Sequence, residues 1–300
     1  SGAFADVDRD GDLDLYVAAY IDATLEEVLK AKRTLDWKGV DKVALGPFGL
    51  VGAADHYFRS DGRGRFREAT AEAGLEDKSL AYGFGVRAAD FDSDGDADLY
   101  VANDSDPNYL YRNEGEGKFR EVGLWSGAAL NDNAAAQAGM GIAVGDAQGD
   151  GFQDIFVTNF AEDYSTLYQG DGKGFFQDAS EESGVAQPTF EPLSWGTSFA
   201  DLDCDGDEDL VVANGHIYPQ VDRHPEFGNT YAQKSLLLDN IGKGKFADAT
   251  GSSGFAVARV SRGLAAGDYD NDGDLDLLLS NLDAPPTLLR NETPRRGTCF

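Results

Sequence analysis

The sequence predicts an all-β chain, a β-propeller built from four-stranded antiparallel blades. Three observations carry that expectation. A nine-residue acidic phrase occurs five times, the same short strand-like segments flank each copy, and the copies recur at the spacing of propeller blades. The phrase starts at residues 6, 90, 146, 201 and 268, giving steps of 84, 56, 55 and 67 residues. The unit is therefore about 55 residues long, in the range of blade repeats. The first and fourth units carry insertions, at about 22–54 and 216–233.

Each unit opens with a strand of small residues: 2–5, 83–89, 139–144, 196–200 and 263–266. Their glycines suit the innermost position of a blade, where backbones crowd around an axis. The acidic phrase follows, and then an apolar second strand (13–18, 99–103, 155–158, 210–213, 275–279). A third strand is expected at 56–59, 109–112, 166–169, 235–238 and 287–290. Glycine turns (Gly62/Gly64, Gly115/Gly117, Gly172/Gly174, Gly242/Gly244) lead to a fourth strand such as 66–70 or 246–250. Phe66, Phe119, Phe176 and Phe246 recur at one position of that strand, and burial between neighbouring blades is the expectation for all four.

The phrase itself has the chemistry of a calcium loop. Aspartates at positions 1, 3 and 5 converge on one point if the chain turns sharply, and a glycine at position 6 permits the turn. The carbonyl of position 7 and the carboxylate of position 9 complete an all-oxygen shell. The expected sites are Asp6, Asp8, Asp10, Asp12 and Asp14; Asp90, Asp92, Asp94, Asp96 and Asp98; Asp201, Asp203, Asp205, Asp207 and Asp209; and Asp268, Asp270, Asp272, Asp274 and Asp276. The third loop, with Asp146, Gln148, Asp150, Phe152 and Asp154, is weakened by glutamine at position 3. The expectation is about five Ca²⁺, one per loop. An EF-hand is excluded, because position 12 is Val17, Val101, Val157, Val212 or Leu279 rather than glutamate, and strands flank the loops. Mg²⁺ suits such carboxylate-rich loops less well.

The first insertion opens with Thr24 and Glu27 in capping-box spacing, and a helix is expected near 24–33, then a loop through Trp37, Gly46-Pro47 and Gly49. The second holds His216, Tyr218, His224 and Tyr231. Trp195, Arg262, Tyr82 and Gln137 stand near the starts of inner strands, so they are placed at one mouth of the central channel. His216, Tyr218, Trp195 and Arg262 form the candidate ligand site apart from the acidic loops. Cys204 and Cys299 are too few to read as a disulfide framework.

A net charge of −29 repels nucleic acid and anionic membranes. Hydrophobic residues make up 41% of the chain, enough for a packed interior, yet no stretch has the length of a membrane span. Gly-x-Ser-x-Gly, His-Glu-x-x-His and P-loop patterns do not occur, and the three histidines lack metal spacing. Ser1 stands at the edge of a strand, so the sequence reads as beginning inside the domain.

The phrase Phe4–Val17 and the unit Leu110–Phe119 resemble FG-GAP/VCBS-type calcium propellers, as in integrin α heads. More narrowly, Gln137–Gly141, Asn214–Gln220 and Leu288–Pro294 resemble the cartilage-acidic-protein/UnbV group. The resemblance implies a seven-bladed parent with five blades present here, followed by an ASPIC/UnbV-like domain beginning about 291–300. It also implies an extracellular, cell-surface or periplasmic location. The function expected is a calcium-stabilised, non-catalytic binding, adhesion or assembly scaffold. Its partner would be a protein or glycan on one face, or other subunits. The alternative is a carbohydrate-active propeller, a sugar-lyase-like enzyme or a lectin, with its site at the channel mouth and the 216–233 loop.

Overall fold

The alternation of small, acidic and apolar segments resolves into five antiparallel sheets, each one repeat long. A computed structural model describes residues 1–31, 34–282, 284–293 and 297. Blade 1 pairs Gly2–Ala5, Asp14–Val17, His56–Ser60 and Phe66–Glu68 in that order. Blade 2 pairs Gly83–Ala89, Asp98–Asn103, Tyr109–Asn113 and Phe119–Glu121. Blade 3 pairs Ile142–Gly145, Asp154–Val157, Thr166–Gly170 and Phe176–Asp178, and blade 4 pairs Ser194–Ala200, Asp209–Asn214, Leu236–Asn240 and Phe246–Asp248. Blade 5 shows three strands among the described residues, Ser261–Gly267, Asp276–Asn281 and Thr287–Leu289. The chain is a five-bladed propeller, as its repeats predict.

Register follows directly from the acidic loops. The last aspartate of each phrase is the first residue of the second strand, paired opposite the end of the first, as in Ala5↔Asp14 and Gly145↔Asp154. First strands of successive blades lie side by side, and their glycines let them approach. A Cβ on Gly141 would collide with the Trp195 carbonyl, and one on Gly85 with the Met140 carbonyl.

The core lies between blades rather than within them. Tyr16, Tyr57, Leu99, Val101 and Phe119 fill the space between blades 1 and 2, and Phe91, Tyr100, Ile155, Tyr168 and Phe176 that between 2 and 3. Phe156, Leu167, Leu210, Leu238 and Phe246 do the same between 3 and 4. Three of the four recurrent phenylalanines are thus interblade residues. Phe66 is the exception at 45% exposed, because each such ring packs on the preceding blade and blade 1 has none beside it among the described residues. It meets Phe4 instead, with ring centroids 6.3 Å apart.

The insertions emerge at the ends of the sheets opposite the acidic loops. Helix α1, Leu25–Ala31, starts on the expected capping box. Thr24 donates to the Glu27 carboxylate and accepts the Glu27 N–H. Residues 32 and 33, at the end of the expected helix, lie outside the described residues. The loop expected through Trp37 is instead a hairpin, Thr34–Trp37 paired with Asp41–Ala44. Its reason is tertiary. Val43 is buried against Tyr218 and Val221 of the second insertion, and the Tyr218 hydroxyl donates to the Ala44 carbonyl at 2.8 Å. Asp41 meets Arg223 at 3.4 Å and His224 at 3.3 Å, while Trp37 packs edge-on to Phe227. Blades 1 and 4 are not neighbours in the ring, so the two insertions form a bridge between them.

Cys204 is buried and disulfide-bonded. Cys299 and residues 294–296 lie outside the described residues, and among the described ones no helix is long and apolar enough to cross a membrane.

Gly141→Ala tests the close approach of inner strands. It should destabilise the chain by about 1–3 kcal/mol, read as a lower urea midpoint at unchanged slope. An unaltered midpoint would show that the strands have room to part.

Candidate metal centres

All five acidic phrases fold into the same loop, held by its own carboxylates. The position-1 aspartate accepts two backbone N–H groups across the turn: Asp6 from Asp10 and Gly11, at 3.1 and 3.0 Å. Asp90 takes those of Asp94 and Gly95, Asp146 those of Asp150 and Gly151, Asp201 those of Asp205 and Gly206, and Asp268 those of Asp272 and Gly273. Position 5 then accepts the N–H of position 7, as Asp94 does from Asp96 at 2.8 Å. The position-6 glycines sit at φ near +90°, for example Gly95 at 89°. Position 4 is also left-handed: Arg9, Ser93, Cys204 and Asn271 have φ of 58–60°. Non-glycine residues adopt that conformation at a cost, so the loop as a whole imposes it.

The turn brings carboxylates together. Oxygens of Asp6, Asp8 and Asp10 lie within 4.8 Å of one another, as do those of Asp90, Asp92 and Asp94 and those of Asp201, Asp203 and Asp205. In the fifth loop the grouped residues are Asp268, Asp270 and Asp276. The third loop makes the same turn, but with Gln148 at position 3 no three-acid group forms there among the described residues.

A cation fits these groups on a specific observation. At position 3, one oxygen each of Asp8, Asp92 and Asp270 is buried with no hydrogen-bond partner. A buried acceptor left unmet is costly, and a hard cation among oxygens would meet it. The other oxygen of Asp8 faces Arg59 at 3.3 Å, and that of Asp270 faces Arg290 at 2.8 Å. Burial, then neighbouring carboxylates, pushes the Asp8 and Asp92 pKa values up. The first two clusters are therefore places where negative charge is held against resistance.

Position 9 is the most buried carboxylate of the phrase. Asp98 accepts the N–H of Phe91 at 3.0 Å and of Asn113 at 2.7 Å. Asp154, Asp209 and Asp276 repeat this with Ala147 and Gly170, Leu202 and Asn240, and Tyr269 and Asn291. Asp14 accepts the Ser60 N–H and the Tyr57 hydroxyl instead. Each oxygen keeps a lone pair for a further partner. Burial pushes Asp98, Asp154 and Asp209 up to about 7, against the two N–H bonds each accepts.

One recurrent feature escaped the sequence reading. The asparagine closing the third strand donates its side-chain N–H to position 2 of the preceding blade's loop: Asn113 to the Val7 carbonyl at 2.7 Å, Asn240 to Ala147 at 2.9 Å, and Asn291 to Leu202 at 2.6 Å. Asn113 and Asn240 also hold a carbonyl of their own loop, Ala97 and Glu208. The acidic loops are thereby chained from blade to blade. Further links are Arg9 to Asp96 at 2.7 Å and the Asp146 N–H to Glu208 at 2.8 Å. The signal in the sequence was the recurrent asparagine at the end of the third strand (Asn113, Asn240, Asn291), which crosses back to the preceding blade.

The four residues singled out beyond the loops separate into two pairs. His216 and Tyr218 are buried where the insertions pack, 2% and 8% exposed. His216 Nδ1 accepts the Tyr218 N–H at 3.0 Å, and burial pushes the imidazole down to about 4, leaving it neutral. Trp195 and Arg262 instead face the axis, with the guanidinium 4.2 Å from the indole ring centre. Arg262 donates to the carbonyls of Gly215 and His216, so this pair supports the bridge from below. Gln137 is tied to Asp163, Tyr164 and Thr166, and the Tyr82 hydroxyl donates to the Leu50 carbonyl.

The family described as FG-GAP-like repeat matches residues 90–157 and 146–212. Cartilage acidic protein 1 of Mus musculus is 28% identical over 72% of this chain and 31% of its own length. The Homo sapiens protein of that name is 26% identical over 93% of this chain and 47% of its own. The chain thus spans between about a third and a half of these relatives. Among solved structures, a NanB sialidase mutant from Streptococcus pneumoniae aligns with a TM-score of 0.49 at 8% identity, covering 97% of this chain and 54% of that one.

Two measurements follow. In EDTA, Asp98, Asp154 and Asp209 carry folded-state pKa values above those of the unfolded chain, so their protonation favours the folded state. That stability is fully present below about pH 4 and is lost as pH rises toward about 7. The chelated protein should melt lower at pH 7.5 than at pH 5, and a flat or rising profile contradicts the assignment. Asn113→Ala strands the Val7 and Ala97 carbonyls and should cost about 1–3 kcal/mol in denaturant titration.

Proposed function

We propose that this chain, which carries FG-GAP-like repeats and is a relative of cartilage acidic protein 1, is a calcium-stabilised propeller acting as a non-catalytic binding module outside the cell. One observation carries the calcium reading: the unpartnered, buried oxygens of Asp8, Asp92 and Asp270, each inside a three-carboxylate group. Asp6, Asp8 and Asp10, with their counterparts in the second, fourth and fifth loops, would hold the ion. The position-7 carbonyl and position-9 carboxylate are available to complete the shell. The third loop, built on Asp146, Gln148, Asp150, the Phe152 carbonyl and Asp154, would bind more weakly because glutamine brings no charge. A bound cation would offset carboxylate repulsion in the loops and so add to folding stability.

A binding role is favoured over catalysis because the histidine of the candidate site is sequestered and the acidic residues cluster as ligands. The disulfide at Cys204 suits an oxidising compartment, and extracellular calcium would keep such loops filled. The partner would be a protein or glycan on one face of the ring, or further subunits. A surface of this charge is unsuited to nucleic acid.

Calcium should raise the melting temperature and EDTA should lower it, with Mg²⁺ a poorer substitute. Calorimetric titration should count at least four sites. Asp92→Asn should remove one of them and reduce the gain from calcium while leaving the EDTA-treated melt unchanged or higher. A melt indifferent to calcium would end the proposal.

A further inference from the structure

Ser1 and the starts of the inner strands of blades 2 to 5 line a cavity of about 440 Å³, within the range of small-molecule sites. Its wall is unlike the rest of the molecule. The chain carries a net charge of −29, yet among the described residues no aspartate or glutamate lines this cavity. Two guanidinium groups do, those of Arg87 from blade 2 and Arg262 from blade 5. Among the described residues neither has a carboxylate partner, although most other arginines of the chain are ion-paired. Arg262 spends donors on the Gly215, Ser261 and His216 carbonyls, and Arg87 makes one bond, to the Val86 carbonyl. Arg87 is open to water but crowded by protein, as a channel side chain is, and that crowding draws its pKa down.

The remaining wall is Ser1, three glycines and four carbon-rich side chains. Phe84 and Trp195 pack with ring centroids 5.8 Å apart, and Met140 and Ile142 at the start of the third blade form the adjoining surface. Guanidinium groups without a carboxylate partner, beside aromatic and aliphatic faces, are a recognition set for an organic anion. The geometry points to this axial cavity as a binding site for a carboxylate-bearing ring, such as a uronic acid. Its charge would be met by Arg87 and Arg262, and its carbon face by Phe84 and Trp195. Cationic guanidinium groups held in a field of excess negative charge would also exclude bound cations and leave calcium to the opposite ends of the blades.

This assignment rests on the binding-module reading, but the two fail separately, since the loops are tested by melting and the cavity by titration in saturating calcium. Isothermal titration of the full chain with galacturonate or glucuronate at millimolar concentrations should show binding that weakens with salt, and glucose should show none. Arg87→Gln should weaken uronate binding about tenfold, the loss of one charge-assisted pair, with its melting temperature unchanged. Arg87→Lys should restore part of it. The inference is overturned if glucose binds as well as the uronates, if sulfate alone competes equally with them, if neither uronate binds, or if Arg87→Gln binds like the parent.

Discussion

The structure depends on a carboxylate placed where water is scarce. At the ninth position of every acidic phrase an aspartate side chain enters the sheet and accepts two donors, generally one from its own loop and one from the end of the third strand. That residue fixes the loop's exit, the start of the second strand and the position of the third. The rest of the blade follows from it: the turn, the pairing register, and the asparagine that crosses to the neighbouring loop. Burial of those carboxylates is eased because each oxygen accepts one hydrogen bond, in keeping with the rule that buried polar groups are partnered.

Much of this was legible in the residues because the pattern is local. Asp-x-Asp-x-Asp-Gly states the loop, and the glycines of the first strand state where backbones come close, as the collision a side chain at Gly141 would make bears out. Thr24 and Glu27 announced their helix. What was hidden depends on contacts between distant segments. The hairpin at 34–44 was read as a loop, since nothing in its own stretch reveals that Tyr218, 174 residues away, would cover it. Likewise Phe66 looked equivalent to Phe119, Phe176 and Phe246, because sequence shows the recurrence but not which side of a blade is covered. The single helical turns after the fourth strands, Thr70–Ala73, Gly123–Ser126 and Ser180–Ser183, are too short to have a periodicity and are ended by left-handed Gly74, Gly127 and Gly184.

The candidate ligand residues divide along the same line. His216 and Tyr218 were noticed for their chemistry, and the fold uses them for packing. Trp195 and Arg262 were noticed for their place at the starts of inner strands, and place is what topology conserves through a repeat. The two ends of the molecule have become chemically distinct as a result. Carboxylate clusters occupy one rim, while the bridge and the guanidinium-lined cavity beneath it belong to the other.

The asparagine that joins successive loops is missing at one junction. Blade 3 has Gly170 where blades 2, 4 and 5 have Asn113, Asn240 and Asn291, so no side chain there reaches back to Phe91. Phe91 instead packs on Phe176, with centroids 5.9 Å apart, and on Tyr100. At the loop rim that seam is fastened by apolar contact where the others add a polar latch. Hydrophobic attraction fades on cooling, so at low temperature the loop-rim contact between blades 2 and 3 weakens more than those that keep the asparagine.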